Sequence, residues 1–190
     1  MKTKILMETM ALAVLGLGSA HASTISLQTA TVTATYNGAA SGMLGLDHLF
    51  AAEAGSNITK LDPADSGDIE LLTADYLFGV DFSSGGALNV LANGPIPSGS
   101  YVMRFDFGTT LAHAINGFTL TDMGGNGGAP LLTIINDHTL QLDLSNITWN
   151  GDFSMLSAQI ATVPEPGSTT LVFAGLAGLA LTRRARTARR

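Results

Sequence analysis

Tyr101-Val102-Met103-Arg104-Phe105-Asp106-Phe107 is the stretch that decides the fold class. Tyr101, Met103, Phe105 and Phe107 alternate with Val102, Arg104 and Asp106, so one face of an extended chain is apolar while the other carries both charges. Successive side chains of a strand point to opposite faces, and this period of two is the mark of a half-buried strand. A helix would scatter the same residues around its circumference.

The pattern recurs on both sides. Upstream, Leu72, Ala74, Tyr76, Phe78, Val80 and Phe82 alternate with Thr73, Asp75, Leu77, Gly79 and Asp81, which predicts one long strand with only Leu77 out of phase. Downstream, Leu140, Leu142 and Leu144 alternate with Gln141, Asp143 and Ser145. Together with residues 131–135 they predict a hairpin closed by Asn136-Asp137-His138. Nearer the start, Ile25 and Leu27 open a strand, but the apolar phase slips to Val32, Ala34 and Tyr36. That slip predicts a bulge or a break between two strands around Thr29.

Turn chemistry separates these runs at fairly regular distances: Asn37-Gly38, Ser83-Ser84-Gly85-Gly86, Asn93-Gly94-Pro95, Asn116-Gly117, Gly124-Gly125-Asn126-Gly127-Gly128 and Asn150-Gly151. Eight or nine short strands with glycine-rich turns predict a mainly β domain, an antiparallel β-sandwich or jelly roll. One short helix is expected over residues 47–54, where Leu46, Leu49, Phe50 and Glu53 have helical spacing and Gly55 stands ready to cap the end.

The flanks of this body have a different composition. Met1-Lys2-Thr3-Lys4 is basic, residues 11–18 are apolar, and Ala20-His21-Ala22 is an A-x-A cleavage signal, so residues 1–22 read as a secretory signal peptide cut between Ala22 and Ser23. At the other end Val163-Pro164-Glu165-Pro166-Gly167-Ser168 is followed by an uncharged apolar run to Leu181 and then by Arg183, Arg184, Arg186, Arg189 and Arg190. The Pro-x-Pro step cannot continue a helix or a central strand and therefore forms an extended neck. Residues 169–182 as a helix reach about 21 Å, short of a hydrocarbon core of about 30 Å, which makes a marginal single transmembrane helix. The arginines hold its end on the cytoplasmic side and leave the body on the other.

This order of neck, apolar helix and basic stop resembles the C-terminal sorting signal of PEP-CTERM proteins, over residues 163–190 and over none of the body. The resemblance implies a Gram-negative host that makes extracellular polysaccharide, and a membrane exosortase as partner. Pro164, Glu165 and Pro166 would be the recognition element, the apolar run the docking span, and Arg183, Arg184 and Arg186 the stop-transfer signal. Ser or Ala more often follows the second proline, where this chain has Gly167. The organisation expected is a leader of residues 1–22, an exported domain of residues 23–162 and a sorting signal of residues 163–190.

Of the nine Lys and Arg in the chain, two lie in the leader and five in the tail, leaving Lys60 and Arg104 against thirteen Asp and Glu, a formal −11 for the body. Such a body has no electrostatic footprint for nucleic acid and repels anionic surfaces unless a divalent cation bridges them. With no cysteine, thiolate nucleophiles, thiolate metal sites and disulfides are excluded. No G-x-S-x-G, H-E-x-x-H or phosphate-loop motif occurs, and His48, His113 and His138 lack paired-ligand spacing. The sequence thus predicts no catalytic residues and no enzymatic activity.

Two local features have a sharper reading beside a bland one. Asp62, Asp65, Asp68 and Glu70 place four carboxylates in a loop containing Pro63 and Gly67. They suit a weak extracellular calcium site, although the spacing fails the EF-hand pattern and a solvated loop accounts for them as well. Tyr36, Tyr76 and Tyr101 fall in phase with apolar faces and are expected in the core, which leaves Trp149, beside Asn150-Gly151, as the exposed aromatic for a ligand. The functional expectation is an exported, non-enzymatic surface or extracellular-matrix protein associated with exopolysaccharide in a biofilm. A secreted carbohydrate-binding module is the alternative, and a secreted hydrolase the third class.

Overall fold

The computed structural model describes residues 23–24, 27–62 and 68–162. The leader with Ala20 and Ala22, the neck with Pro164, Glu165 and Pro166, the apolar run and the arginine tail lie outside these residues, as does Asp65. No helix among the described residues is long and apolar enough to cross a membrane.

Among the described residues fourteen strands follow in chain order: β1 (Ser23–Thr24), β2 (Thr31–Tyr36), β3 (Met43–Gly45), β4 (Ile58–Lys60), β5 (Leu71–Thr73), β6 (Phe78–Phe82), β7 (Ala87–Ala92), β8 (Val102–Asp106), β9 (Ile115–Asp122), β10 (Gly127–Gly128), β11 (Leu131–Asn136), β12 (Thr139–Asp143), β13 (Ile147–Thr148) and β14 (Met155–Thr162). Every pairing is antiparallel. One sheet runs β3-β5-β6-β7-β14-β9, with β1 beside the end of β14, and the other runs β11-β12-β8-β2-β4. The sheets enclose one core in a sandwich-like arrangement, and β10 and β13 form a separate ribbon.

The period-two stretches form the layers as their patterning requires. In β8, Met103 and Phe105 point inward and Arg104 outward, and the register Leu142↔Met103 and Leu140↔Phe105 continues the apolar face into β12. Val32, Ala34 and Tyr36 extend it into β2. Phe78, Val80, Phe82, Leu88, Val90, Leu156, Ala158 and Ile160 build the facing layer, all fully buried. Each large side chain so buried contributes roughly 1.5–3 kcal/mol. The break expected at Thr29 is present: its φ is +65°, in a turn where Ala30 N–H donates to the Leu27 carbonyl, between β1 and β2. The hairpin of β11 and β12 forms with Asn136 paired to Thr139, so its turn is Asp137-His138 alone.

Two expectations are corrected. The stretch from Leu72 to Phe82 is two strands, β5 and β6, joined by a turn at Ala74–Leu77 in which Tyr76 has φ +61° and is exposed. Asp75 drives that turn, because its Oδ1 accepts the Leu77 N–H at 3.1 Å, a side-chain substitute for a backbone turn that alternation does not reveal. The expected helix over residues 47–54 is a single 3₁₀ turn, Leu46–His48, after which Leu49 and Phe50 take φ values of +52° and +58°. Side chains draw the segment out of helix: Asp47 Oδ2 accepts the Lys60 N–H at 2.8 Å, and His48 Nδ1 meets Glu53 Oε1 at 2.6 Å.

Candidate functional site

Strand direction gives the molecule two distinct ends. β6 runs from Phe78 to Phe82 and β14 from Met155 to Thr162, both away from the end formed by the β5–β6 turn, the β7–β8 loop and the β13–β14 loop. That end is the tip. At the other end, the base, Ser23 pairs with Thr162.

Beneath the tip the core is aromatic and mixed in polarity. Phe78 lies edge-on to Tyr101 at 5.3 Å and to Tyr36 at 6.4 Å, and Trp149 tilts against it at 5.3 Å. The Tyr101 hydroxyl donates to the Pro97 carbonyl, whereas the Tyr36 hydroxyl and the Trp149 indole N–H are buried without a hydrogen-bond partner. Burial and the nearby Asp75 carboxylate push both tyrosines above the usual phenol value. Trp149 is therefore half-buried, with its ring packed on the core and its polar edge turned from solvent, and does not stand out as an exposed platform.

The aromatics that do reach solvent are Tyr76 and Phe153, 57% and 67% exposed. Both lie on tip loops with left-handed backbone, φ +61° and +58°. Bulky side chains rarely adopt this region, and each such residue costs on the order of 1–3 kcal/mol unless its surroundings over-determine it. Tyr76 is held by its N–H to the Thr73 carbonyl at 2.8 Å and by Asn93 Nδ2 to its own carbonyl at 3.0 Å. Beside Phe153, the Ser154 carbonyl accepts the Ala92 N–H at 2.9 Å and its hydroxyl donates to the Gly151 carbonyl at 3.0 Å. Alternation predicted a buried Tyr76, and the Asp75-Tyr76 turn is the signal that could have found it.

A concave region crosses the outer face of the five-stranded sheet. A cleft of about 370 Å³ is lined by Thr33, Thr35, Gly38, Val102, Arg104, Asp106 and Gln141. Asp106 also borders a cleft of about 460 Å³ toward the β11–β12 turn. Arg104 is exposed, and the only ion pair among the described residues is His48–Glu53.

The described carboxylates of the acidic segment, Asp62, Asp68 and Glu70, do not form a common group. Asp62 Oδ1 accepts from Gln28 Nε2 at 3.2 Å, while Asp68 is exposed. Glu70 is buried, and its Oε2 accepts the Phe82 N–H at 2.8 Å. Desolvation, with smaller contributions from Asp81 and Asp68, raises its pKa from 4.5 to about 7, partly offset by the Phe82 hydrogen bond. Among the described residues no three His, Cys, Asp or Glu are grouped to hold a cation.

No protein-family model, curated protein or solved structure matches the chain.

Proposed function

We propose that this chain is an exported surface or extracellular-matrix protein, in which an antiparallel β-sandwich is carried by a removable membrane anchor and acts without catalysis in an exopolysaccharide matrix. The observation that carries the reading is the Pro164-Glu165-Pro166 neck, followed by an uncharged apolar run and by Arg183, Arg184 and Arg186. The body supports it in one respect: among the described residues it is a mainly β domain of antiparallel sheets around one core, the kind of body the reading expects. An exosortase and, transiently, the inner membrane are the partners this reading requires. The acidic body argues against nucleic acid as another.

Replacing Pro164, Glu165 and Pro166 with alanine tests the reading in a host that carries an exosortase. Membrane insertion persists, since the apolar run and its arginines are intact, but maturation stops and full-length protein accumulates at the membrane. Mass spectrometry of the surface fraction decides the matter. Mature protein that still carries Arg183 to Arg190 refutes removal of the anchor, and an N-terminus other than Ser23 refutes the leader.

A further inference from the structure

The geometry points to the tip as a glycan-binding site, with Tyr76 and Phe153 as stacking platforms for the sugar rings of a neutral polysaccharide. This inference builds on the surface-protein reading and supplies the contact it lacks. Three observations on different parts of the chain meet at this end. First, Tyr76 and Phe153 are the aromatic residues most open to solvent among those described, yet they come from loops 77 residues apart in sequence. Second, both have left-handed backbone that a glycine would adopt without strain: the Tyr76 carbonyl accepts from Asn93, and the residue after Phe153, Ser154, is tied to Gly151 and Ala92. Third, β6 and β14 both flank β7, which sets the two loops roughly 10 Å apart, two strand intervals.

Flat, rigid aromatic faces with few rotatable bonds suit the C–H faces of pyranose rings, and polar groups beside them orient the hydroxyls. Asp75 and Asp152, the residues before Tyr76 and Phe153 in sequence, are exposed and have carboxylate oxygens that can accept from sugar hydroxyls. The charge selects the class of glycan. Lys60 on β4 and Arg104 on β8 both belong to the five-stranded sheet, so among the described residues no lysine or arginine belongs to the tip loops to neutralise a polyuronate or a phosphate.

Orientation agrees. Ser23 and Thr162 are paired at the base, and the eight residues of β14 hold Thr162 roughly 24 Å from Met155. The described residues that adjoin the two flanking segments thus lie at the end opposite Tyr76 and Phe153.

The test is affinity electrophoresis of the purified full-length chain in mild detergent through gels containing dextran, a soluble β-1,3-glucan or polygalacturonate. Retardation is expected in at least one neutral glucan gel and not in polygalacturonate. Tyr76→Ala and Phe153→Ala should each weaken retention tenfold or more, while Arg104→Gln, in the cleft on the sheet face, leaves it unchanged. Tyr76→Gly separates binding from folding: it should raise the melting temperature by relieving the positive φ while still abolishing retention. The inference is overturned by retention in polygalacturonate alone, by no retention in any gel, or by loss in Arg104→Gln with Tyr76→Ala unaffected. Sorting is read from the tail by mass spectrometry and glycan binding from the purified chain, so either can fail without the other.

Discussion

The two ends of the core are both aromatic and differ in almost everything else. At the base, Phe82 meets Phe105 at 5.4 Å and Phe107 at 5.9 Å, both nearly perpendicular, and all three are buried hydrocarbon. At the tip, Tyr36, Tyr101 and Trp149 surround Phe78, two of their polar atoms have no partner, and the loops above hold strained, exposed aromatics. The base is built for burial, and the tip gives up stability to hold side chains in place. Left-handed non-glycine backbone occurs at both ends, at Thr29, Leu49 and Phe50 as well as at Tyr76 and Phe153, but two of the three buried polar atoms without a partner among the described residues, those of Tyr36 and Trp149, lie at the tip.

The largest expected difference between the ends comes from the same truncation made at each. Phe82→Ala removes a fully buried ring with two edge-to-face partners and should cost about 3–5 kcal/mol, from lost transfer energy and the cavity left behind. Phe153→Ala removes a ring that is 67% exposed and should stay within about 0.5 kcal/mol. Denaturant midpoints at constant m-value measure both. Equal costs would mean that Phe153 packs on the domain and is unavailable to a ligand.

The base was legible in the sequence and the tip was not. Phe105, Phe107 and Phe82 lie in uninterrupted alternation, and a strand buried on one face leaves no other place for them. Tyr76 lies in the same alternation, yet the fold puts it outside. The deciding interaction is local, the Asp75 carboxylate on the Leu77 N–H, and a period-two pattern carries no information about it. Trp149 shows the converse: a neighbouring Asn150-Gly151 turn suggested exposure, but the ring is drawn onto Phe78, a contact set by sheet topology. The helix expected over residues 47–54 failed because Asp47 binds the Lys60 N–H outside the segment and His48 pairs with Glu53 five residues on, bonds that the spacing of apolar residues does not reveal. Glu70 was read with its acidic neighbours as a loop residue. Its hydrogen bond to the Phe82 N–H, twelve residues away, pulls it into the base.

Glu70 gives the base its own polar liability, and a pH titration sharpens the comparison. Its carboxyl rises from 4.5 to about 7 on folding, chiefly through desolvation. Between those values the folded state keeps a proton that the unfolded chain releases, so stability falls as pH rises through this window. Below about 4.5 both states are protonated and the cost is absent; above about 7 it is complete, roughly 3 kcal/mol at most. Glu70→Gln keeps an oxygen to accept the Phe82 N–H and removes the titration. Its unfolding free energy should change little between pH 5 and pH 8, while that of the parent declines. Parallel pH profiles for the two proteins would show that Asp68, Asp81 or another group carries the dependence.

The smallest effect expected is at the tip, and it tests whether that end is as poorly satisfied as its geometry indicates. The Tyr36 hydroxyl is buried and has no hydrogen-bond partner, though it lies close enough to the Asp75 carboxylate for burial and that charge together to raise its pKa. An unpaired buried hydroxyl has lost its water without recovering a bond, a penalty of about 1–3 kcal/mol, whereas a made hydrogen bond is worth about 0.5–1.5 kcal/mol. The two cases give Tyr36→Phe opposite signs. If the hydroxyl is unpaired, the substitution removes the penalty and keeps the edge-on contact with Phe78, so stability is unchanged or rises by about 1 kcal/mol. If Asp75 accepts from it in solution, Tyr36→Phe costs about 1 kcal/mol, and the cost disappears in an Asp75→Ala background, where no acceptor remains. A double-mutant cycle of Tyr36→Phe and Asp75→Ala, read by denaturant midpoint, distinguishes them. A coupling near zero leaves the tip unsatisfied, and a coupling of about 1 kcal/mol would make it as well satisfied as the base.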